Sequence, residues 1–361
     1  MAKQNDRPTL ATVASRAGVS IKTASRVLNG EKHVAASTAE KVEDAAAELG
    51  FRLNSTARRL RAGSRSPYIG VIMSDGADPF QARLFTRLEA ALGQVGLHPV
   101  VTVTNDDANR EQIFLDECLA TDMAGVCVIR AHPDVAHFYT RAAQSSSAVI
   151  VSFDPAVTGD GVIVITGDEE RAGRLAAEQL LAHGHISLGV IGDHSTTQIS
   201  ADRLAGIQSA FVGRSDIGWR AYMQEEAHDQ ASAKNVVAAW LGSRSAPSAL
   251  ITLSATLTQG AIDACRRLDQ WPALVGIDDF PAAELLDVTV IDRDIDLMAA
   301  EAVRRLQGPP DFEDGPETVA DADDGDRSQG QGNLGDRGGA GAIEIPVHVI
   351  PRGSGEERPD H

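Results

Sequence analysis

The sequence predicts an α/β protein: a small all-α module at the N-terminus, then a large body of two doubly wound parallel α/β subdomains. Three observations carry this expectation. Apolar residues recur at helical spacing through residues 9–50. From Tyr68 they gather instead into short runs (YIGVIM, HPVVTV, GVCVI, AVIVS, VIVI, LGVI, ALIT, LVGI, VTVI) separated by helical stretches, the pattern of parallel strands joined by crossover helices. These runs continue over about 240 residues, which suits two sheets with a cleft between them better than one. A closed α/β barrel is the alternative arrangement of the same alternation.

The first module reads as three helices. Thr9 is placed to cap a helix whose Leu10, Val13, Ala14 and Ala17 share one face, and Gly18 ends it. Ser20 is placed to cap a second helix reaching about Asn29, with Ala24, Val27 and Leu28 inward. Ser37 and Glu40 have the spacing of a capping box for a third, whose inward row is Val42, Ala45, Ala46 and Leu49 and which stops at Gly50. The tight turn Ala17-Gly18-Val19 makes the first two a helix-turn-helix. The expected division is a headpiece over 1–53, a hinge over 54–66, a body over 67–354 and a tail over 355–361.

Residues 308–341, inside the body, are rich in Asp, Glu and Gly and poor in large apolar residues, so disorder is expected there. The literal G-x-G-x-x-G at Gly330, Gly332 and Gly335 has no strand before it and no helix after it, and is set aside as a dinucleotide signal. AIEIPVHVI then reads as one alternating strand.

The net charge of −18 argues against nucleic acid until it is divided along the chain. Residues 1–66 hold 12 Lys and Arg against 6 Asp and Glu, whereas the remainder holds 21 against 45. A basic module on an acidic body can grip phosphates at one end and repel DNA elsewhere. No run of about 18 apolar residues and no signal-like N-terminus is visible, so neither a membrane span nor export is expected, and the cytoplasm is the expected location. Cys118, Cys127 and Cys265 are widely spaced and read as core residues, and no metal or cofactor is expected. His183, His185 and His194 fall at a helix-to-strand turn without the carboxylates or thiols of a metal site.

On the second helix Ile21, Lys22, Ser25 and Arg26 fall on the face opposite Ala24, Val27 and Leu28. Such a face suits a major groove: Arg and Lys read guanine, Ile meets a thymine methyl and hydroxyls reach phosphates. A solvated helix face is the plainer reading. Asn54-Ser55-Thr56 is formally a glycosylation sequon, but without secretion it reads better as the N-cap of a short helix, STARRLRAG.

The stretch from Thr9 to Gly63 resembles the headpiece of the LacI family of transcription regulators almost residue for residue. The resemblance implies that Ile21, Lys22 and Arg26 read bases, that Thr23, Ser25 and Asn29 contact the DNA backbone, and that His33 lies near the DNA. It also implies a hinge helix, starting at Asn54, that forms on operator DNA, pairs with its dimer mate and drives Leu60 into a minor-groove step. Ala57 lies one turn before Leu60, and Arg58, Arg59 and Arg61 lie beside it. A basic linker gripping phosphates is the simpler alternative.

The resemblance continues through DGADPFQARL, AAEQLLAHGHISLGVIGD, RLAGIQSAF, VGIDDF and HVIPRGS. It implies a periplasmic-binding-protein-like core whose cleft holds a small effector through Phe80, Arg203 and Asp278. A ring face, a fork of donors and a carboxylate suit a polyhydroxylated ligand such as a sugar. For Asp278 a strand-end cap is the plainer alternative. Ser254-Ala255 departs from the family's usual Asn-Asp, the segment before VGIDDF is short, and LLDVTVIDRD lacks a usual proline. The function expected is a dimeric, effector-controlled regulator, most often a repressor, of a palindromic operator. A transport-type sugar-binding protein and a cytoplasmic sugar-modifying enzyme are the competing classes. No P-loop, G-x-S-x-G or H-E-x-x-H motif supports an enzyme.

Overall fold

The computed structural model describes residues 8–29, 34–51, 66–192, 198–215, 217–223, 229–308 and 342–356. It divides into two compact units, Met1–Ser66 and Pro67–His361. The first holds helices α1 (Leu10–Ala17), α2 (Ile21–Leu28) and α3 (Ala36–Glu48). Val13, Ala14, Ala24, Val27, Val42, Ala45 and Ala46 form its core, as the helical periodicity requires. The capping box expected at Ser37 and Glu40 does not form. Helix α3 starts at Ala36 behind Ala35, which makes no side-chain cap, so Ser37 already lies inside the first turn.

The second unit contains two open six-stranded sheets, which removes the barrel alternative. The elements run β1 (Tyr68–Met73), α4 (Pro79–Gln94), β2 (His98–Val103), α5 (Ala108–Ala120), β3 (Gly125–Val128), α6 (Ala136–Ser145), β4 (Val149–Ser152), β5 (Val162–Gly167) and α7 (Glu169–Ala182). They continue with β6 (Ser187–Gly192), α8 (Gln198–Ser209), β7 (Gly218–Met223), α9 (Gln230–Leu241), β8 (Ala249–Thr252), α10 (Ala255–Leu268), β9 (Ala273–Ile277), α11 (Pro281–Leu285), β10 (Thr289–Arg293), α12 (Ile295–Gln307), β11 (Ala342–Ile345) and β12 (Val347–Ile350).

The first sheet has the order β11-β5-β4-β3-β1-β2 and the second β12-β10-β9-β8-β6-β7. Every pairing is parallel except β10 with β12. All nine apolar runs form strands, and all but β2 are buried on both faces as parallel strands usually are; β2, at the edge of the first sheet, has no buried residue. AIEIPVHVI proves to be two strands in different sheets. Pro346 has no N–H to continue a ladder, and the chain changes sheet there.

Among the described residues the chain passes between the subdomains three times: at Asp168 into α7, at Asp294 into α12 and at Pro346. Both aspartates are N-caps, accepting from Arg171 N and Leu297 N at 2.9 Å. Backbone bonds tie the crossings together, Asp168 N donating to Ile345 O and Asp294 N to Pro346 O. Residues 309–341, which hold nearly all of the expected acidic insertion, lie outside the described residues.

Candidate nucleic-acid interface and ligand cleft

In the first unit, Thr9 and Thr12 cap α1 reciprocally: the Thr12 hydroxyl accepts from Thr9 N at 2.8 Å and the Thr9 hydroxyl from Thr12 N at 3.3 Å. Gly18 takes the left-handed conformation (φ 70°) that turns the chain into α2. Ser20 then caps α2, its hydroxyl accepting from Thr23 N at 3.1 Å and sharing a bond with the Thr23 hydroxyl at 2.9 Å. With Ala24 and Val27 pinned in the core, the opposite side of α2 is left outward. Ile21, Lys22 and Arg26 are exposed, Ile21 by 56 %. Thr23 and Ser25 are half-buried at the edge of this face. Asn29, the C-cap, donates from Nδ2 to Ser25 Oγ at 3.2 Å. His33, Asn54, Ala57, Leu60 and Arg61 lie outside the described residues.

In the second unit the structure brings Phe80, Arg203 and Asp278 to one place. Phe80 stands in the first turn of α4, behind the N-cap Asp78. That turn is anchored by buried Gln81, whose side chain accepts from Ser74 N at 2.9 Å and donates to Ser74 Oγ at 3.0 Å. Asp278 follows β9 in a left-handed conformation, φ 71°, costly for a residue with a side chain, while its N–H donates to Ile291 O at 2.8 Å. Arg203 on α8 is almost fully buried.

Two residues missed in the sequence complete the cluster. Arg203 Nε donates to Glu169 Oε2 at 2.6 Å, its NH1 to the Leu253 carbonyl, and NH1 and NH2 approach Asp278 Oδ2 at 3.4 Å. Arg293, at the end of β10, donates from Nε and NH2 to Asp278 Oδ1 at 3.0 and 2.5 Å and from NH1 to Glu169 Oε1 at 3.0 Å. All four charged side chains are at most 5 % exposed. Two guanidinium groups and two carboxylates thus form a charge-balanced buried array, the condition under which burying ions is tolerable. Burial alone pushes the Asp278 carboxyl up, but Arg293 and Arg203 outweigh it and hold the carboxyl below its ordinary 3.8. The Arg293 guanidinium lies 3.7 Å from the centroid of the Phe80 ring.

The N-terminal end of α4 makes further bonds to the other subdomain. Asp78 Oδ2 accepts from the Thr256 hydroxyl at 3.2 Å. Arg83 donates to the Asp279 carbonyl at 2.6 Å and to both oxygens of Asp292 at 3.2 and 2.9 Å. Asp292 Oδ1 also accepts from Asp279 N, and the Asp279 carboxylate accepts from Arg352 at 2.7 and 2.9 Å. The sequence signal for Arg293 and Asp292 was the run of charges Asp-Arg-Asp closing an otherwise apolar strand.

Two histidines of the expected turn act locally: His183 Nδ1 meets Gln179 O at 2.8 Å, and buried His185 meets Ser248 Oγ at 3.1 Å. His194 lies outside the described residues, among which no group of three or more His, Cys, Asp and Glu side chains is arranged to hold a metal. The three cysteines are buried, with thiols pushed up by burial to about 12 for Cys118 and Cys127 and about 11 for Cys265. No described helix is long and apolar enough to cross a membrane.

The profile of bacterial regulatory proteins of the lacI family matches residues 9–54, and that of the periplasmic binding protein domain matches residues 69–286. The HTH-type transcriptional regulator DegA of Bacillus subtilis is 26% identical over 314 residues, covering 82% of this chain and 90% of DegA. The catabolite repressor/activator of Escherichia coli K12 is 27% identical over 279 residues, covering 76% and 82%. Among solved structures, the lac repressor dimer bound to operator and the anti-inducer ONPF aligns with a TM-score of 0.75 at 24% identity, covering 97% of this chain and 99% of that one. The profile of bacterial regulatory proteins lies over the helix-turn-helix, so the protein is a DNA-binding transcription regulator and the enzyme alternative falls away. The chain belongs to the LacI family of transcriptional regulators.

Proposed function

We propose that this regulator grips a palindromic operator as a homodimer, usually to repress, and that a small polyhydroxylated effector, a sugar or related metabolite, sets its affinity for that DNA. The observation that carries the proposal is the outward face of α2, where Ile21, Lys22 and Arg26 stand exposed opposite buried Ala24 and Val27. Arg26 and Lys22 take base edges in the major groove and Ile21 a thymine methyl, while Thr23, Ser25 and Asn29 take the sugar-phosphate backbone, with His33 nearby. The basic balance of residues 1–66 supplies the phosphate attraction. The lac repressor structure, a dimer on its operator, supports the same assembly here.

The hinge over 54–66 couples the two units. Asn54 caps a short helix that folds against its dimer mate on the operator, Leu60 wedges into the minor groove behind Ala57, and Arg61 holds the backbone. Phe80, Arg203 and Asp278 take the effector in the cleft, and a change in cleft geometry alters hinge pairing. The protein works in the cytoplasm, where its DNA lies.

Selection of bound duplexes from a random pool tests this reading, followed by the same binding measurement with a metabolite panel. A two-fold symmetric consensus and a metabolite that shifts affinity are expected. Recovery of no preferred sequence would overturn the proposal.

A further inference from the structure

The cleft residues expected to hold an effector already hold something: the side chain of Arg293. Its guanidinium covers the Phe80 ring at 3.7 Å, takes Asp278 Oδ1 through two nitrogens and Glu169 Oε1 through the third. Gly167 is part of the seat, because a Cβ there would come within 2.6 Å of Arg293 Cδ and 2.9 Å of its Cγ. The seat has the composition of a cation receptor, an aromatic face with two buried carboxylates.

Charge balance decides what can replace the occupant. With Arg293 in place the array carries two positive and two negative groups. A neutral polyol displacing it would leave Glu169 and Asp278 against Arg203 alone, an uncompensated buried negative charge. An anion would make the imbalance worse. Only a cation restores it. Asp78 adds to the negative side, since its carboxyl lies close enough to feel Asp278, whereas Arg83, which also acts on Asp278, is already matched by Asp292. The displaced side chain has an outlet, for Arg293 also borders a cavity of about 550 Å³ whose wall carries Asp292, Asp294 and Asp296 beside Arg83 and Arg87.

We propose that Arg293 is a tethered occupant of the effector cleft and its specificity-determining residue, so that the effector is a cation, a protonated amine or guanidine on a hydroxylated frame, which replaces the guanidinium over Phe80 between Asp278 and Glu169. The proposal rests on the reading of this cleft as the effector site and names the effector's charge class.

The test uses the full-length protein, R293A, methylguanidinium as probe and urea, its neutral planar counterpart, as control, each at low millimolar concentration. Methylguanidinium should raise the R293A melting temperature by at least about 2 °C and change its affinity for the selected duplex about 5-fold or more, whereas urea does neither. Wild type should respond to neither compound at these concentrations. Should R293A fail to fold, R293Q, longer and neutral, takes its place in the same comparison. The double variant D278N/R293Q, with one charge of each sign removed, should lose the response to methylguanidinium.

Equal responses to urea and methylguanidinium, or none to either, overturn the cation seat. A recovered melting temperature with unmoved duplex affinity makes Arg293 a structural lock and overturns its role in effector choice. Absence of DNA binding by wild type, read in the same assay, would instead defeat the regulator reading, and the melting comparison would still decide the seat.

Discussion

Gly206 of α8 lies so close to α7 that a Cβ on it would fall 1.8 Å from the carbonyl oxygen of Glu170. The relationship is reciprocal, for a Cβ on Gly173 of α7 would fall 1.9 Å from the Arg203 carbonyl. Two glycines thus bring two helix backbones into contact, and Arg203, one turn before Gly206, reaches Glu169 because of it. Gly206→Ala should separate the helices at a cost of about 1–3 kcal/mol or more, since the obstacle is backbone and cannot rotate away. Calorimetry should show a fall of several degrees in melting temperature, at about 2–4 °C per kcal/mol for a domain of this size. A variant as stable as wild type would mean that the helices slide apart freely and that the glycine does not set the Arg203 position.

Asp78 is a second point where packing works against a charge. Burial pushes its carboxyl above the ordinary 3.8, the bond from Gln81 N pulls it down, and the negative charge of Asp278 pushes it further up. A carboxyl whose folded pKa exceeds its unfolded one costs stability at pH values above both, and the cost disappears as pH falls and both states take up the proton. Asparagine caps a helix as well as aspartate does and can exchange a hydrogen bond with Thr256. Asp78→Asn should therefore be at least as stable as wild type at pH 7, with the difference closing as pH drops through the carboxylate range. Paired thermal melts across pH check this, and a clear loss of stability at pH 7 would count against it.

On the DNA side, Arg26→Ala should relax sequence preference at one base pair per half-site and cost about 1–3 kcal/mol on the selected operator. Competition binding against single-base variants of that operator separates this from a phosphate contact. Equal loss on every duplex, with a reduced salt slope, would make Arg26 a phosphate ligand.

The parts of this molecule that were legible in the sequence are those fixed by local chemistry. Thr9, Gly18 and Ser20 announce helix ends because caps and left-handed turns act over three or four residues, and α1 and α2 begin and end where they imply. The nine apolar runs announce strands because parallel sheets bury both faces. β7 escaped because GWRAYM mixes an arginine and small residues with its apolar ones. Phe80, Arg203 and Asp278 came from family likeness, and the fold gathers them. Glu169 and Arg293 did not come, since they are 124 residues apart and nothing in either neighbourhood says that the chain crossings bring them to 3.0 Å. Pro346 was visible, but its consequence, a change of sheet, depends on two partner strands that are remote in sequence.

Arg83 joins the two subdomains and so bears on how far the cleft can open. It stands on α4, beside the first sheet, while both its acceptors, the Asp279 carbonyl and the Asp292 carboxylate, belong to the second. Asp292 is 7 % exposed and Arg83 29 %, so solvent weakens the pair only from the arginine side. Removing the cation strands a buried carboxylate, whose remaining protein donor is Asp279 N among the bonds described here. Arg83→Ala should cost about 1–3 kcal/mol, discounted for the arginine's exposure, and should let the subdomains part on the α4 side. Arg83→Lys should recover part of the stability through charge, but less than a two-nitrogen fork can give. Solution scattering on the body should show a larger radius of gyration for Arg83→Ala than for wild type, with Arg83→Lys between them. Methylguanidinium added to an Arg83→Ala/Arg293→Ala protein should bind more weakly than to Arg293→Ala, because an open cleft separates Phe80 from the two carboxylates. An unchanged radius together with unchanged probe affinity would show that the three chain crossings alone hold the cleft shut, leaving Arg83 no part in its closure.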